Sequence, residues 1–179
     1  MRAYVTGSSG LIGSEVSSRL ERPPSPSRPV DLTEEFGWEN ELRGSEVVVH
    51  CAAMASVKGV RGDQVFAVNV EGAVRVARVA RDCGVKRFIF LSSAKVFGEY
   101  TVAGERFSDE QSTRKPASIY GRSKAEAEDR LMDMHQPGIF DVILLRPSVV
   151  VACQAKGAIG QMIRFARKGL PFPIPVREN

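Results

Sequence analysis

The sequence predicts an α/β protein built on a parallel sheet with helices on both faces. Short, almost continuously apolar runs alternate with longer helical patterns, which is typical of βαβ units whose sheet is covered on each side. A glycine-rich turn directly follows the first of these runs, where a strand would pass into a helix. The chain has 179 residues, of which 43% are hydrophobic, so it can bury one core of ordinary size.

Four apolar runs are the predicted strands, and each is short and rich in β-branched or aromatic residues. Between them, apolar residues recur at three- and four-residue steps, which gives each predicted helix one face that can pack on the sheet. The predicted strands are residues 2–6, 46–50, 87–92 and 141–146. One predicted helix begins at Leu11, and three others cover residues 66–80, 120–134 and 157–168.

The segment between Leu20 and Asp31 interrupts this alternation. Its ten residues include four prolines, so neither a regular helix nor a central strand can form there. A complete βαβ unit takes about 30 residues or more. We therefore expect residues 21–30 to form a proline-rich connection, and the fold to be reduced by the loss of its usual second strand and helix.

Composition and charge exclude several classes of protein. The 25 basic and 21 acidic residues give a net charge of +4 without a concentrated basic stripe, which argues against nucleic acid as a partner. The three cysteines form no CxxC pair, so neither a metal site nor a disulfide framework is predicted. No apolar run approaches the ~20 residues of a membrane span, and no signal-peptide pattern precedes the first strand. We therefore expect a cytoplasmic protein that binds no membrane.

A turn with three glycines, Gly7, Gly10 and Gly13, leads from the first predicted strand into the first helix. The first glycine permits the tight bend, the second lets the backbone approach a pyrophosphate, and the third lets helix and strand pack closely. The helix N-terminus adds unpaired N–H groups and a partial positive charge. The turn therefore predicts a dinucleotide-phosphate site, and the alternative is a glycine-rich turn that binds no ligand.

Of the three tyrosines, only Tyr120 has a lysine four residues later, at Lys124. This spacing puts both side chains on one helix face that continues into apolar residues, so Lys124 should point toward the sheet. An ammonium beside a phenol would lower the phenol pKa from about 10 and let the phenol exchange a proton with a substrate hydroxyl. The alternative is that Tyr120 caps the core while Lys124 reaches along it to water.

Two serines, Ser92 and Ser93, end the third predicted strand, where ligands bind in an open parallel sheet. The run from Ser92 to Gly98 is similar to the Ser-Ser-Ala-x-Val-Tyr-Gly of the extended short-chain dehydrogenase/reductase family. Within that family the chain resembles the NAD-dependent epimerase/dehydratase and UDP-glucose 4-epimerase-like proteins. Further similar segments are the Gly-x-x-Gly-x-x-Gly turn, Asp31-Leu32, His50-Cys51-Ala52-Ala53, Asn69-Val70-Glu71-Gly72 and Arg146-Pro147.

The resemblance implies a Rossmann-like fold that binds NAD, with NADP not excluded. It implies that Ser93, Tyr120 and Lys124 are the catalytic residues, with Ser92 as a strand-end residue that serves through its backbone. The cofactor contacts it implies are Gly7, Gly10, Leu11, Ile12, Gly13, Asp31, Leu32, Ala52, Ala53, Asn69, Ser92, Tyr120, Lys124 and Pro147.

The reaction implied by the resemblance is epimerisation of a nucleotide sugar through transient oxidation. Tyr120 would remove the proton of O4 while the C4 hydride passes to NAD, and the hydride would return to the other face of the keto-sugar. Ser93 would hydrogen-bond the reacting oxygen. The dehydratases carry an Asp-Glu pair where Ala94 and Lys95 stand in this chain, so dehydration is disfavoured. The resemblance also allows a homodimer.

Two departures from the family pattern, one at residues 21–30 and one in the C-terminal region, keep other functions open. With a proline-rich connection at residues 21–30, the residue that would contact the adenosine ribose and select NAD or NADP has no counterpart. Residues 1–155 are expected to form the NAD(P)-binding domain, and residues 156–179 the start of a truncated substrate-binding region. The alternatives to an epimerase are a non-catalytic or decayed NAD(P)-binding module and an NAD(P)H-dependent carbonyl reductase of the same family.

Overall fold

The computed structural model of the chain describes residues 2–20, 32–33, 37–100, 110–151 and 157–171. By its internal contacts the chain forms two compact units, Met1–Ser148 and Val149–Asn179. The first unit carries a β-sheet and its helices, and the second carries one described helix.

Four parallel strands form the sheet of the first unit, in the spatial order β1-β2-β3-β4. The register aligns Thr6 with His50 and His50 with Phe90, so these strands end at a common edge. Each strand lies within one residue of its predicted bounds, and the α/β class is confirmed. The strands are β1 (Ala3–Thr6), β2 (Val47–His50), β3 (Arg87–Leu91) and β4 (Asp141–Leu145).

Helices and short helical turns connect the strands. The helices of the first unit are α1 (Leu11–Arg19), α2 (Trp38–Leu42), α3 (Gly62–Phe66), α4 (Ala73–Asp82) and α5 (Ile119–Met132). A π-helical turn, Ala67–Gly72, joins α3 to α4, and a 3₁₀ turn, Ala94–Val96, follows β3. The helices predicted from Leu11 and over residues 120–134 are confirmed, and the helix predicted over 66–80 is found as the π-helical turn followed by α4. The sequence did not predict α2 or α3, because five residues are too few to show a helical repeat.

The hydrophobic core of this unit lies between the sheet and the helices α2, α4 and α5. Tyr4 and Trp38 meet edge to face in it, with ring centroids 6.4 Å apart. Phe88 and Phe140 pack ring against ring at 6.2 Å, which joins β3 to the segment before β4. These aromatic contacts are part of the core that covers the strands.

The chain is tied to α4 directly after the predicted proline-rich connection. Residues 21–31 lie outside the described residues, so the structure of that connection stays a prediction. Leu32, which is described, is only 6% exposed and packs on Gly72, where a Cβ would lie 2.6 Å from the Leu32 Cβ. Arg75 Nη1 donates a hydrogen bond to the Leu32 carbonyl oxygen at 2.7 Å.

The second unit contains the helix α6 (Gly157–Arg167), which confirms the helix predicted over residues 157–168. Arg164 and Arg167 lie in its last turn. Gly169, with a φ of 65°, ends the helix, and Leu170 N donates a hydrogen bond back to Phe165 O at 3.0 Å. Among the described residues of the whole chain, no helix has the length and hydropathy needed to cross a bilayer.

Candidate functional site

The C-terminal ends of β1, β2 and β3 lie side by side, and the segments that leave them gather at one edge of the sheet. Ligands of open parallel sheets bind at this edge, outside the carboxyl ends of the strands. The glycine turn leaves β1, Ala52 and Ala53 follow β2, and the two predicted serines follow β3. The fold therefore brings to one edge residues that are far apart in the sequence.

The glycine turn is folded tightly against the segment that follows β2. Gly7 has a φ of +68°, and a Cβ there would lie 2.6 Å from the Ala52 nitrogen. A Cβ on Gly13 would lie 2.1 Å from the Gly7 carbonyl oxygen, so α1 can touch the turn only without a side chain. Gly10 N donates a hydrogen bond to Gly7 O at 2.9 Å, and the first turn of α1 holds no acidic residue. This backbone cradle at a helix N-terminus fits the pyrophosphate of a dinucleotide.

Lys124 is buried as the helix pattern predicts, with 1% of its surface exposed. Its Nζ donates a hydrogen bond to the Leu91 carbonyl oxygen at 2.8 Å and lies 4.4 Å from the centroid of the Phe90 ring. Burial lowers the pKa of Lys124 to about 8, against the opposing influence of Cys51 and Glu128. The structure therefore holds an amine of unusually low pKa at the end of β3.

Tyr120 lies one helical turn before Lys124, whose Nζ is 5.9 Å from the centroid of the tyrosine ring. The expectation that this ammonium lowers the pKa of the Tyr120 hydroxyl is wrong, because burial raises that pKa above its usual value of 10.0. The ammonium is directed at the Leu91 carbonyl and the Phe90 ring, so it does not offset the loss of hydration around the phenol. The hydroxyl is therefore protonated at neutral pH.

The neighbouring serines, Ser92 and Ser93, are both buried but serve different partners. The Ser93 hydroxyl accepts a hydrogen bond from Lys95 N at 3.2 Å and caps the 3₁₀ turn. Ser92 Oγ donates to Glu128 Oε1 at 2.5 Å. Ser93 is therefore part of the turn beside the site, whereas the Ser92 side chain is engaged with α5.

Gly121 brings the start of α5 against the turn that Ser93 caps. A Cβ on Gly121 would lie 2.7 Å from the Lys95 carbonyl oxygen. The same turn is tied to the segment after β4, because Ala94 N donates to the Pro147 carbonyl oxygen at 2.9 Å. These contacts place the predicted serine, tyrosine and proline around one turn. Sequence reasoning missed Gly121, whose only signal is that a glycine inside a helix usually has a packing reason.

Asn69 links the segment after β2 to α5 and is 1% exposed. Its Oδ1 accepts a hydrogen bond from Met54 N at 2.7 Å, and its Nδ2 donates to Met54 O at 3.1 Å. The same Nδ2 donates to Ser123 Oγ at 3.0 Å, next to Lys124 in the chain. The Asn69 amide therefore joins the segment after β2 to α5 at the site. Sequence reasoning missed Ser123 as its partner on α5, because the two residues are 54 positions apart in the chain.

The remaining predicted cofactor contacts are half-buried at the start of α1 or directly after β2, and they are Leu11, Ile12, Ala52 and Ala53. Leu32 is buried against Gly72. Asp31 lies outside the described residues. Within the described residues, His, Cys, Asp and Glu form no group of three or more that could hold a metal ion.

His50, the last residue of β2, is completely buried next to the site. Its ring stacks on Phe88 and Phe90, with centroids 5.6 and 5.9 Å away, and its Nδ1 is hydrogen-bonded to Thr6 Oγ1 at 2.9 Å. Burial lowers the pKa of His50 to about 3, and the charge of Lys124 contributes in the same direction. The imidazole is therefore neutral at pH 7.

This buried histidine should make the free energy of unfolding depend on pH. Below about pH 6.5 the unfolded chain protonates His50, whereas the folded chain does so only near pH 3, so the stability falls as the pH falls. Between pH 8 and pH 5 the loss is about 2 kcal/mol. Urea unfolding at the two pH values should show this loss, and His50→Gln should reduce it. His135→Gln, which removes the other of the 2 histidines, is the control, and an equal reduction there would contradict the assignment to His50.

Sequence comparisons relate the chain to known enzymes. The profile of the NAD dependent epimerase/dehydratase family matches residues 3–178. The UDP-glucose 4-epimerase of Vibrio cholerae is 37% identical over 147 residues, which cover 80% of this chain and 44% of that protein. A dTDP-4-dehydrorhamnose reductase of Mycobacterium tuberculosis is 29% identical over 139 residues, 73% of this chain and 45% of that protein. The chain thus spans about half the length of the curated relatives it matches.

A solved structure of similar fold is the UDP-glucose 4-epimerase of Thermus thermophilus in complex with NAD. It superimposes with a TM-score of 0.76 at 30% sequence identity, and the match covers 96% of this chain and 64% of that one. The Rossmann-like architecture expected from the sequence is confirmed by this likeness.

Proposed function

The chain belongs to the NAD dependent epimerase/dehydratase family, and from this premise we propose that it is the NAD(P)-binding and catalytic part of a nucleotide-sugar epimerase. One observation carries the proposal: Lys124, with 1% of its surface exposed, lies one helical turn after Tyr120 at the ligand-binding edge of the sheet. Burying an amine opposes its ionisation, and lysines are almost never fully buried unless they are paired. A perturbed amine at this edge is best explained by chemistry that takes place there.

The glycine turn would bind the dinucleotide. Its three glycines leave a backbone cradle that Cβ atoms would fill, and the N–H groups at the start of α1 suit a pyrophosphate. The NAD complex of the Thermus thermophilus epimerase, which is 30% identical to this chain, supports NAD as the cofactor. When bound, the nicotinamide would accept a hydride from the sugar carbon and return it.

Three side chains at the reacting oxygen would each have a separate role. Ser93, which is 8% exposed, would donate a hydrogen bond to the sugar oxygen and orient it. Tyr120 would act in its deprotonated form: the phenolate would take the proton of that oxygen and return it after the sugar has turned over. Lys124 donates one of its three N–H groups to Leu91 O, and its charge would stabilise negative charge that develops on the sugar oxygen. Residues 156–179 would begin the region that binds the substrate.

The proposal is tested by supplying the protein with UDP-glucose and NAD and following UDP-galactose by chromatography. We expect the epimer to form without net production of NADH, because the hydride returns to the same sugar. NADH and NADPH are titrated in parallel by their fluorescence. Absence of saturable binding of either dinucleotide would overturn the cofactor assignment, and binding without any turnover would identify a non-catalytic NAD(P)-binding module.

A second candidate function is an NAD(P)H-dependent carbonyl reductase, which needs the protonated form of Tyr120 that burial of the hydroxyl favours. A phenol that is protonated at neutral pH is already in the form that donates a proton to a carbonyl oxygen as hydride arrives. The reductase of Mycobacterium tuberculosis among the relatives supports this alternative. Net oxidation of NADPH or NADH by a keto-sugar, without epimer formation from UDP-glucose, would identify the reductase.

A further inference from the structure

A buried carboxylate, Glu128, lies where the ends of β3 and β4 meet α5, and the proposed reaction assigns it no role. It is 1% exposed. Its Oε1 accepts hydrogen bonds from Ser92 Oγ at 2.5 Å and from Arg146 Nε at 2.9 Å. Its Oε2 accepts from Arg146 Nη2 at 2.8 Å and from Arg114 Nη1 at 3.2 Å. Because a carboxylate offers about four lone-pair sites, all of its acceptor capacity is used.

The donors to Glu128 come from three separate segments of the chain. Ser92 directly follows β3, Arg146 directly follows β4, and Arg114 lies before α5. Glu128 itself is one and two helical turns after the proposed lysine and tyrosine, on the same face of α5. One carboxylate therefore ties the ends of two neighbouring strands to the helix that carries the Tyr-Lys pair.

This network fixes the orientation of the segments it joins more than it stabilises the fold. Burying a carboxylate and guanidinium groups is costly, and apolar side chains of similar volume are often equally stabilising in such positions. The bidentate pairing of Arg146 with Glu128 instead imposes one relative orientation on β4 and α5. Ser92 is held on α5 by its hydrogen bond to Glu128 Oε1, and the backbone of the next residue, Ser93, is extended. Successive residues of an extended chain point to opposite sides, so holding Ser92 also sets the direction of Ser93.

The charge of Glu128 also acts on Lys124. Among the described residues, the other titratable groups that face this lysine are the Cys51 thiol, the His50 imidazole and the Tyr120 phenol. Burial raises the pKa of the Cys51 thiol and lowers that of His50 to about 3, so neither carries a charge at neutral pH. Glu128 favours the ammonium form of Lys124, in opposition to the burial that lowers its pKa to about 8.

We propose that Glu128 is a positioning residue of the candidate site, which holds the strand ends bearing Ser93 and Pro147 against the helix bearing Tyr120 and Lys124. The proposal rests on the proposed function, because it gives Glu128 a part in the chemistry of that site. Loss of the carboxylate is expected to misplace the serine and to shift the lysine toward its neutral form.

Glu128→Gln tests both effects, with Glu126→Gln as the matched control at an exposed position of the same helix. In Glu128→Gln we expect kcat to fall on the order of 10- to 100-fold, with little change in the affinity for NADH. The alkaline limb of the kcat profile should move to lower pH by about 1 unit. Glu126→Gln should change neither. Equal kcat and equal pH profiles in the two variants would overturn the proposal.

A second readout does not require turnover. In protein labelled with ¹³C-lysine, the ε-carbon signal that disappears in Lys124→Met reports the titration of Lys124, with a midpoint expected near pH 8. The midpoint should drop by about 1 unit in Glu128→Gln and stay in place in Glu126→Gln. An unchanged midpoint in Glu128→Gln would overturn the electrostatic role of Glu128. A shifted midpoint in a protein without any turnover would refute the proposed function and leave this role intact.

Ser92→Ala tests the positioning role alone and covers the case in which Glu128→Gln does not fold. It removes one hydrogen bond and leaves the pairs of Glu128 with Arg114 and Arg146 in place. We expect kcat to fall about tenfold, the Lys124 midpoint to stay near pH 8, and hydrogen exchange of the Ala94 amide to accelerate. Unaltered exchange at Ala94 would overturn the positioning role whether or not the chain turns over.

Discussion

Replacing Tyr120 with phenylalanine should lower kcat by roughly 10²- to 10⁴-fold, the range that a positioned acid–base group contributes. The affinity for NADH should stay nearly unchanged. The ring keeps its packing beside Lys124, and only the hydroxyl that would exchange a proton with the substrate is removed. Turnover of UDP-glucose, or of a keto-sugar if the chain is a reductase, is measured together with NADH binding by fluorescence.

Tyr100→Phe is the matched control for this experiment, because Tyr100 is 94% exposed and lies outside the site. It should turn over like the unaltered protein. A Tyr120→Phe variant that kept more than about a tenth of the activity would show that the tyrosine is not the acid–base group. Loss of NADH affinity together with activity would instead favour the interpretation that Tyr120 caps the core.

Replacing Gly7 with alanine should abolish tight dinucleotide binding and destabilise the fold. The new Cβ would lie 2.6 Å from the Ala52 nitrogen and 2.7 Å from its Cα, so the backbone of the turn or of the segment after β2 must move. The positive φ of +68° adds strain. Overpacking and backbone strain together should lower the free energy of unfolding by about 3 kcal/mol. NADH affinity should fall at least tenfold, because the N–H groups of the turn lose their alignment.

Gly59→Ala separates backbone strain from the close contact. Gly59 has a similar φ of +75°, but a Cβ there would meet nothing within 4 Å. Its loss of stability should be about 1 kcal/mol, with no change in NADH binding. Urea unfolding and NADH titration of both variants provide the comparison. Equal effects of the two substitutions on NADH binding would contradict the assignment of the Gly7 turn as the dinucleotide cradle.

Much of the fold could be predicted because the signals are local. Alternation of apolar runs with helical repeats located β1 to β4 within one residue, and the apolar repeats located α1, α4, α5 and α6. The sequence did not reveal α2, α3 or the π-helical turn. The helices α2 and α3 have five residues each, which is too short for a repeat. The π-helical turn ends at Gly72, which packs directly on Leu32.

The pKa values of the Tyr-Lys pair could be predicted only in part. The four-residue spacing correctly placed Lys124 on the buried face of α5. It did not predict that the ammonium would be directed at the Leu91 carbonyl, nor that burial would raise the pKa of Tyr120. A pKa depends on hydration and on every charged or polar neighbour in space, and the spacing of two residues specifies neither.

The sequence by itself determined the α/β class, the order of the strands along the chain, the glycine turn and the shared helix face of Tyr120 and Lys124. These follow from the periods of helix and strand and from the steric freedom of glycine, which act over a few residues. Only the tertiary structure decided which distant groups meet. Glu128 contacts Ser92 across 36 residues, and Asn69 contacts Ser123 across 54. Such partners are selected by packing of the whole sheet and its helices, and no local pattern in the chain encodes them.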